Sequence, residues 1–299
     1  MAILALTGGS AWANIVTSIK PLGFIASAIG DGVIDTDVLL PDGASPDNYA
    51  LRPEDINRIR SASLVVWVGP EMETFMTQQA AALPATKLLT LSSTRAIKPL
   101  LIAGGGQDDN AVVSPSNAGN ASHPPGRYNT YIWLSPEIAA RAAIAIHHRL
   151  SVLWPDKQAQ LDENLLFFTA SLTKNDKIIA TMLAPVSGKG YFVFNDAEGY
   201  FEQHYGLTPL GHLTLGSEIQ PAHQALQNIR TQLVEHKALC AFAEPQVRPA
   251  IISAVSKGTD VRIGTLDPFG NGIALGKDSY NHFLFQLTNQ YLSCLNTKS

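Results

Sequence analysis

Positive charge is scarce in this 299-residue sequence: the net charge is −4 and the pI is near 6.0. That excludes the basic face that nucleic-acid binding requires. No apolar run approaches the roughly 20 residues of a membrane-spanning helix. There is no G-x-S-x-G elbow, no P-loop and no G-x-G-x-x-G opening a helix after a strand. Scattered Asp and Tyr residues do not replace such motifs, so no enzyme is read here. No cysteine lies near the N-terminus, so no lipid-anchoring box is visible. Residues 1–13, MAILALTGGSAWA, lack the basic segment of a complete export signal. They are nonetheless small and apolar, and Ala11-Trp12-Ala13 has the A-x-A form of a cleavage site. They read as a signal-peptide remnant, or else as a buried first strand.

What is present suits a globular chain. Hydrophobic residues make up 45% and charged residues 15%, enough to bury a core. The length suggests about two domains. In the first half, the short apolar runs IVTSI, DTDVLLP, SLVVWVG and TKLLTL alternate with the helical segments PLGFIASAIG, RPEDINRIRSA and PEMETFMTQQAAAL. Residues 92–130 break the rhythm with a Gly-, Ser-, Asn- and Pro-rich stretch and read as an exposed, mobile loop. YIWL then reads as a strand, followed by a helix with Ser135 as N-cap and Pro136 at its first position. Residues 155–184 keep helical periodicity without a strand breaker. The second half repeats the rhythm with the strands GYFVF, LTPLGHLTL, ALCAFA and VRIGTL.

The expected fold is therefore α/β: two Rossmann-like lobes, each a roughly four-stranded parallel sheet with helices, joined by one long rigid helix. The expected boundaries are an N-terminal lobe over 14–134, a helical connector over 135–185 and a C-terminal lobe over 186–299. Two cysteines, Cys240 in ALCAFA and Cys294 in the last helix, either pair or remain buried thiols.

Ligands of open α/β sheets bind beyond the carboxyl ends of strands. The polar residues expected there are Asp47, Tyr131, Asn195 and Asp267. Each also has a plainer reading. Asp47 can organise its own turn in GASPDNYALRP. Asn195 can cap the helix DAEGYFEQHYG. Tyr131 can seal the cleft and hydrogen-bond across it to Asp47. The histidines read as surface or structural residues, since adjacent His147 and His148 cannot share a helix face.

Several stretches resemble the periplasmic solute-binding proteins of zinc ABC transporters over nearly the whole chain. They include SIKPLGFIASAIGDGV, LLPDGAS, YALRPEDI, LVVWVGPEMETFM, IWLSPEIAARAAIAIH, GYFVFNDAEGYFE, GLTPLGH, IRTQLVEHKALCAFAEPQVRPA, GTLDP and NQYLSCL. The resemblance implies a metal in the cleft between two lobes, little lobe closure, a Cys240–Cys294 disulfide, export to the periplasm and an inner-membrane permease as partner. A monomer is expected. It also implies histidine where this chain has Asp47, Tyr131 and Asn195, and an acid where it has Asp267. Zinc favours imidazole and thiolate, whereas carboxylate, amide and phenol oxygens suit manganese and other hard cations. The expected cargo is zinc by family and manganese by ligand chemistry. The alternatives are a paralogue that binds no metal and serves another ligand or partner, an adhesin-like surface protein, or a decayed copy.

Overall fold

The computed structural model describes residues 14–103, 128–213, 223–245, 254 and 256–296. The expected signal remnant (1–13) and residues 104–127 of the expected loop lie outside them. The first sheet contains β1 (Asn14–Thr17), β2 (Asp35–Val38), β3 (Leu64–Trp67) and β4 (Leu88–Thr90) in the order β2-β1-β3-β4. The second contains β5 (Tyr191–Val193), β6 (Gly211–His212), β7 (Cys240–Ala243) and β8 (Arg262–Thr265) in the order β6-β5-β7-β8. Every pairing in both sheets is parallel. Both sheets share one topology. In each, the chain leaves its first strand on one side and returns on the other, which opens a crevice beyond the strand ends. The inner strands LVVW and CAFA are buried along their whole length, as parallel strands covered on both faces should be.

Helices start where their capping residues stand. Pro21 opens α1 (Lys20–Ile29), of which eight residues are buried. Pro53 opens α2 (Pro53–Ser61), and Asp55 accepts from the Arg52 backbone N–H (3.0 Å) and the Tyr49 hydroxyl (2.9 Å). Burial opposes ionisation of Asp55, but hydrogen bonds from Arg52 and Tyr49 and the Arg52 charge outweigh it and hold its pKa at about 2. Ser135 Oγ accepts from Ile138 N (3.2 Å) at the start of α4 (Pro136–Leu153). A 3-10 turn at Pro155–Lys157 leads into α5 (Gln158–Leu183), 26 residues long.

Some expectations are corrected. YIWL is not a strand. Ile132–Leu134 forms a 3-10 turn closed by Leu134 N to Tyr131 O (3.1 Å), directly before the Ser135 cap. Its apolar side chains are buried in the seam between the lobes, so burial there needs no strand pairing. PEMETFMTQQAAAL yields only a 3-10 turn at Thr74–Met76 and α3 (Thr77–Ala81). The helix after GYFVF, α6, begins at Gly199 and runs to Tyr205 with Glu198 at its N-cap position, so Asn195 does not cap it. The run LTPLGHLTL keeps only the two paired residues of β6, while residues 214–222 are outside the described set. Next come α7 (His223–Glu235) and α8 (Ser279–Leu295).

One continuous apolar core crosses both lobes. It joins Ile15, Leu22 and Phe24 of the first to Tyr191, Phe242 and Tyr291 of the second, through Trp133, Phe168 and Phe283. Helices α1, α4, α5 and α8 form the layer between the sheets. The Phe24 and Phe283 rings lie 5.8 Å apart. A side chain at Gly270 (φ +66°) would meet both rings, with its Cβ 2.8 Å from Phe24 and 2.9 Å from Phe283. Two buried hydrogen bonds cross the same seam: Trp133 Nε1 donates to Pro268 O and Tyr280 Oη donates to Trp133 O, both at 2.7 Å.

In the second lobe the Cys240–Cys294 disulfide ties β7 to α8. Below it the hydroxyls of Tyr191 (2.8 Å) and Tyr291 (2.9 Å) both donate to Oε1 of buried Glu202. Burial pushes the Glu202 carboxyl up to about 7.

Two outcomes are expected. Replacing both cysteines by alanine should lower stability by about 2–4 kcal/mol in urea melts, because the bridge closes a long loop. Glu202 keeps its proton in the folded chain but loses it in the unfolded chain between roughly pH 4.5 and pH 7. This group therefore stabilises the fold less as pH rises through that window. Glu202→Gln keeps an acceptor oxygen for both tyrosines without a charge to bury. Its stability relative to the unaltered chain should increase from pH 5 to pH 8, by up to about 3 kcal/mol.

Candidate functional site

The carboxyl ends of the strands of both lobes face one cleft. The loop after β2 runs from Pro41 to Arg52 and carries Asp47, which is exposed. Ser45 Oγ donates to Asp47 Oδ2 (3.4 Å) and accepts from Asp47 N (3.3 Å), so the carboxylate organises its own turn. Tyr131 precedes the 3-10 turn and is half-buried, its ring packed on Trp133 (5.0 Å) and Phe269 (6.0 Å). Burial, then the negative charges of Glu244, Asp47, Glu198 and Asp196, push its phenol well above the usual range. Tyr131 is thus a neutral phenol near neutral pH, a poor ligand for a divalent cation.

Asn195 follows β5 and is exposed; its amide Nδ2 donates to Glu244 Oε1. Asp267 follows β8 and is buried. Its Oδ1 accepts from Phe269 N (3.0 Å) and Asn271 Nδ2 (2.9 Å), while Oδ2 accepts from Asn271 N (2.7 Å) and, at 3.5 Å, Gln286 Nε2. Its lone pairs are thereby largely committed to folding the loop DPFGN.

The residue that these four positions surround is Glu244, directly after β7. Burial raises its carboxyl; the Asn195 amide pulls the other way, and the charges of Asp47 and Asp267 raise it further. Sequence reading did not select Glu244, although the rule that picked the others, a polar residue just past a strand end, applies to it equally. Glu198 was also not selected. It is buried, its Oε1 has no hydrogen-bond partner among the described residues, and burial with the charge of Glu244 raises its carboxyl well above the usual range. His212 lies 3.5 Å from Asp196 at the edge of this group. His147 and His204 pair with Asp162 and Asp176, each at 2.7 Å, on the helical layer.

The cleft loops are tied to one another. Asn129, buried, accepts from Tyr131 N (2.9 Å) and donates to Asp196 O (2.8 Å), joining the Tyr131 and Asn195 segments. Trp133 joins Tyr131's turn to Pro268. Asn271 Oδ1 accepts from Gly43 N (2.8 Å), joining the Asp267 loop to the Asp47 loop. Chemically the cleft is a set of oxygens with one neutral phenol and one amide. Among the described residues no group of three His, Cys, Asp or Glu side chains is placed to hold a metal ion.

Comparison with known proteins gives one consistent result. The family model for the zinc-uptake complex component A periplasmic proteins matches residues 15–294. The high-affinity zinc uptake system protein ZnuA of Yersinia pestis is 56% identical over 304 residues, covering 98% of this chain and 94% of its own length. The protein of the same name from Haemophilus ducreyi is 41% identical over 300 residues, covering 98% and 97%. A crystal structure of ZnuA superposes with a TM-score of 0.74 at 21% identity, covering 95% of this chain and 99% of the other, a likeness of fold. The chain belongs to the zinc-uptake complex component A periplasmic family.

Proposed function

We propose that the protein is an exported solute-binding protein, acting as a monomer, that presents a divalent metal to an inner-membrane ABC permease. Its cleft holds zinc weakly. The observation that carries this reading is the ligand chemistry at three positions. The resemblance implies imidazole at 47, 131 and 195, whereas the chain has Asp47, Tyr131 and Asn195. Carboxylate and carbonyl oxygens suit a hard cation such as manganese better than zinc, which favours nitrogen and sulfur. The positions proposed to face the cargo are Asp47, Tyr131, Asn195 and Asp267. Glu244 supplies a further carboxylate among them.

The Asn195 amide supports the weaker zinc affinity independently. It donates to the carboxylate that would otherwise face a cation, so this pair is satisfied without metal. The two walls of the cleft are assigned to residues 14–134 and 186–299, with 135–185 as the connector.

Competition titration of the metal-free protein with zinc and manganese against a chelator tests this. One-to-one manganese binding with zinc weaker than about micromolar is expected. Submicromolar one-to-one zinc binding would overturn the weak-zinc reading, and binding of neither metal would overturn the cargo assignment. Combining Asp47→His, Tyr131→His and Asn195→His should tighten zinc binding by about 100-fold or more, because three imidazoles make a zinc-type donor set. No gain would show that the cleft geometry, and not only its donors, differs from a zinc site.

A further inference from the structure

The two walls of the cleft are held by bonds of different accessibility. On the Tyr131 side the tie is interior. Asn129 is 1% exposed, and its backbone carbonyl accepts from the buried Tyr200 hydroxyl (2.9 Å). On the Asp47 side the tie is at the surface. Gly43 N donates to Asn271 Oδ1 (2.8 Å), and beside it Gly272 N donates to Asp42 Oδ2 (3.0 Å). Asp42, Gly43 and Gly272 are all exposed, and Asn271 is half-buried. Lys20 Nζ, from the start of α1, meets Asp42 at 2.7 Å and holds that carboxylate in place.

Exposed hydrogen bonds compete with water and open at low cost, whereas buried ones open only with their surroundings. The far end of the loop is anchored firmly, since Tyr49 bonds the buried carboxylate of Asp55 at the head of α2. Between Gly43 and Tyr49 lies Asp47. Meanwhile the continuous core leaves the lobes themselves little freedom to move apart.

We propose that Asn271 is a positioning residue: with Asp42 it forms an exposed strap that sets the position of the Asp47 loop, and cargo enters and leaves by release of this strap. The cargo part rests on the function proposed above. Asn271 is suited to the task because it is held from behind. Its own N–H and amide are fixed on Asp267, which leaves the side-chain oxygen aimed at Gly43.

Site-resolved hydrogen exchange on the metal-free protein tests the strap without reference to cargo. Asn271→Ala and, independently, Asp42→Ala should each speed exchange at 41–48 by about tenfold, the effect of losing one hydrogen bond. Exchange at 129–134 and 191–196 should stay as in the unaltered chain. Asn129→Ala should do the reverse, speeding exchange at Tyr131 and leaving 41–48 unchanged. Unchanged exchange at 41–48 in both strap variants would overturn the proposal, as would acceleration spread evenly over the chain. In a second arm, the protein is loaded with manganese alone and chased with a chelator. Release should be about tenfold faster in both strap variants. Equal release rates would remove the gating role. An unaltered chain that takes up no manganese would refute the cargo assignment, while the exchange result still decides whether Asn271 positions the loop.

Discussion

Trp133 is the point on which the two lobes and the cleft jointly depend. Its indole N–H reaches the carbonyl of Pro268, its own carbonyl receives the Tyr280 hydroxyl, and its ring packs 5.5 Å from Phe269. A residue held at three points cannot slide, and Tyr131 stands two residues before it. The position of the cleft phenol is therefore set by the seam between the lobes, not by either sheet alone. The same seam contains Phe24, Phe283 and the glycine at 270 that lets them approach. Two lobes joined through one packed core behave as a single body, because close-packed interiors do not deform gradually.

Within that fixed frame the cleft is an electrostatic compromise. Carboxylates at 47, 196, 198, 244 and 267 share one neighbourhood, and burial with the neighbouring negative charges raises those of Glu198 and Glu244. The chain lowers the cost by local pairing. Asp47 turns to Ser45, Asn195 serves Glu244, and Asp267 is used up by its own loop. Glu198 Oε1 is left without such a bond among the described residues, and burial, then the charge of Glu244, raises its carboxyl. In the metal-binding role proposed above, an incoming ion would have to displace the amide and hydroxyl donors that already satisfy these oxygens.

Much of the fold was legible because its signals are local. Short apolar runs bounded by turn residues became parallel strands, and Pro53 and Ser135 began helices where they stand. YIWL misled because hydrophobic burial looks the same whether a segment pairs in a sheet or fills a seam. Asn195 misled because a good capping residue near a helix start is not always the cap; the helix began four residues later. The disulfide came from resemblance, since spacing alone left pairing open. Glu244, Asn129 and Asn271 were missed for a different reason. Their importance lies in partners 49, 67 and 228 residues away. No local pattern encodes those distant partners, although Glu244 does stand just past a strand end.

The placement of α8 bears on how the chain reaches this state. Helix α1 emerges first and carries a face of Phe24, Ile25 and Ala28 that needs cover. Part of that cover, including Phe283, is supplied by a helix some 250 residues later (Ser27 bonds Gly276, a separation of 249). The first sheet has every local contact it needs, yet its lobe stays sticky on one side until residues 279–295 arrive. Long-range closure of this kind is slow and leaves apolar surface open in the interval. For the exported chain proposed above, that interval would span the whole of translocation, with the apolar face of the half-built lobe uncovered throughout.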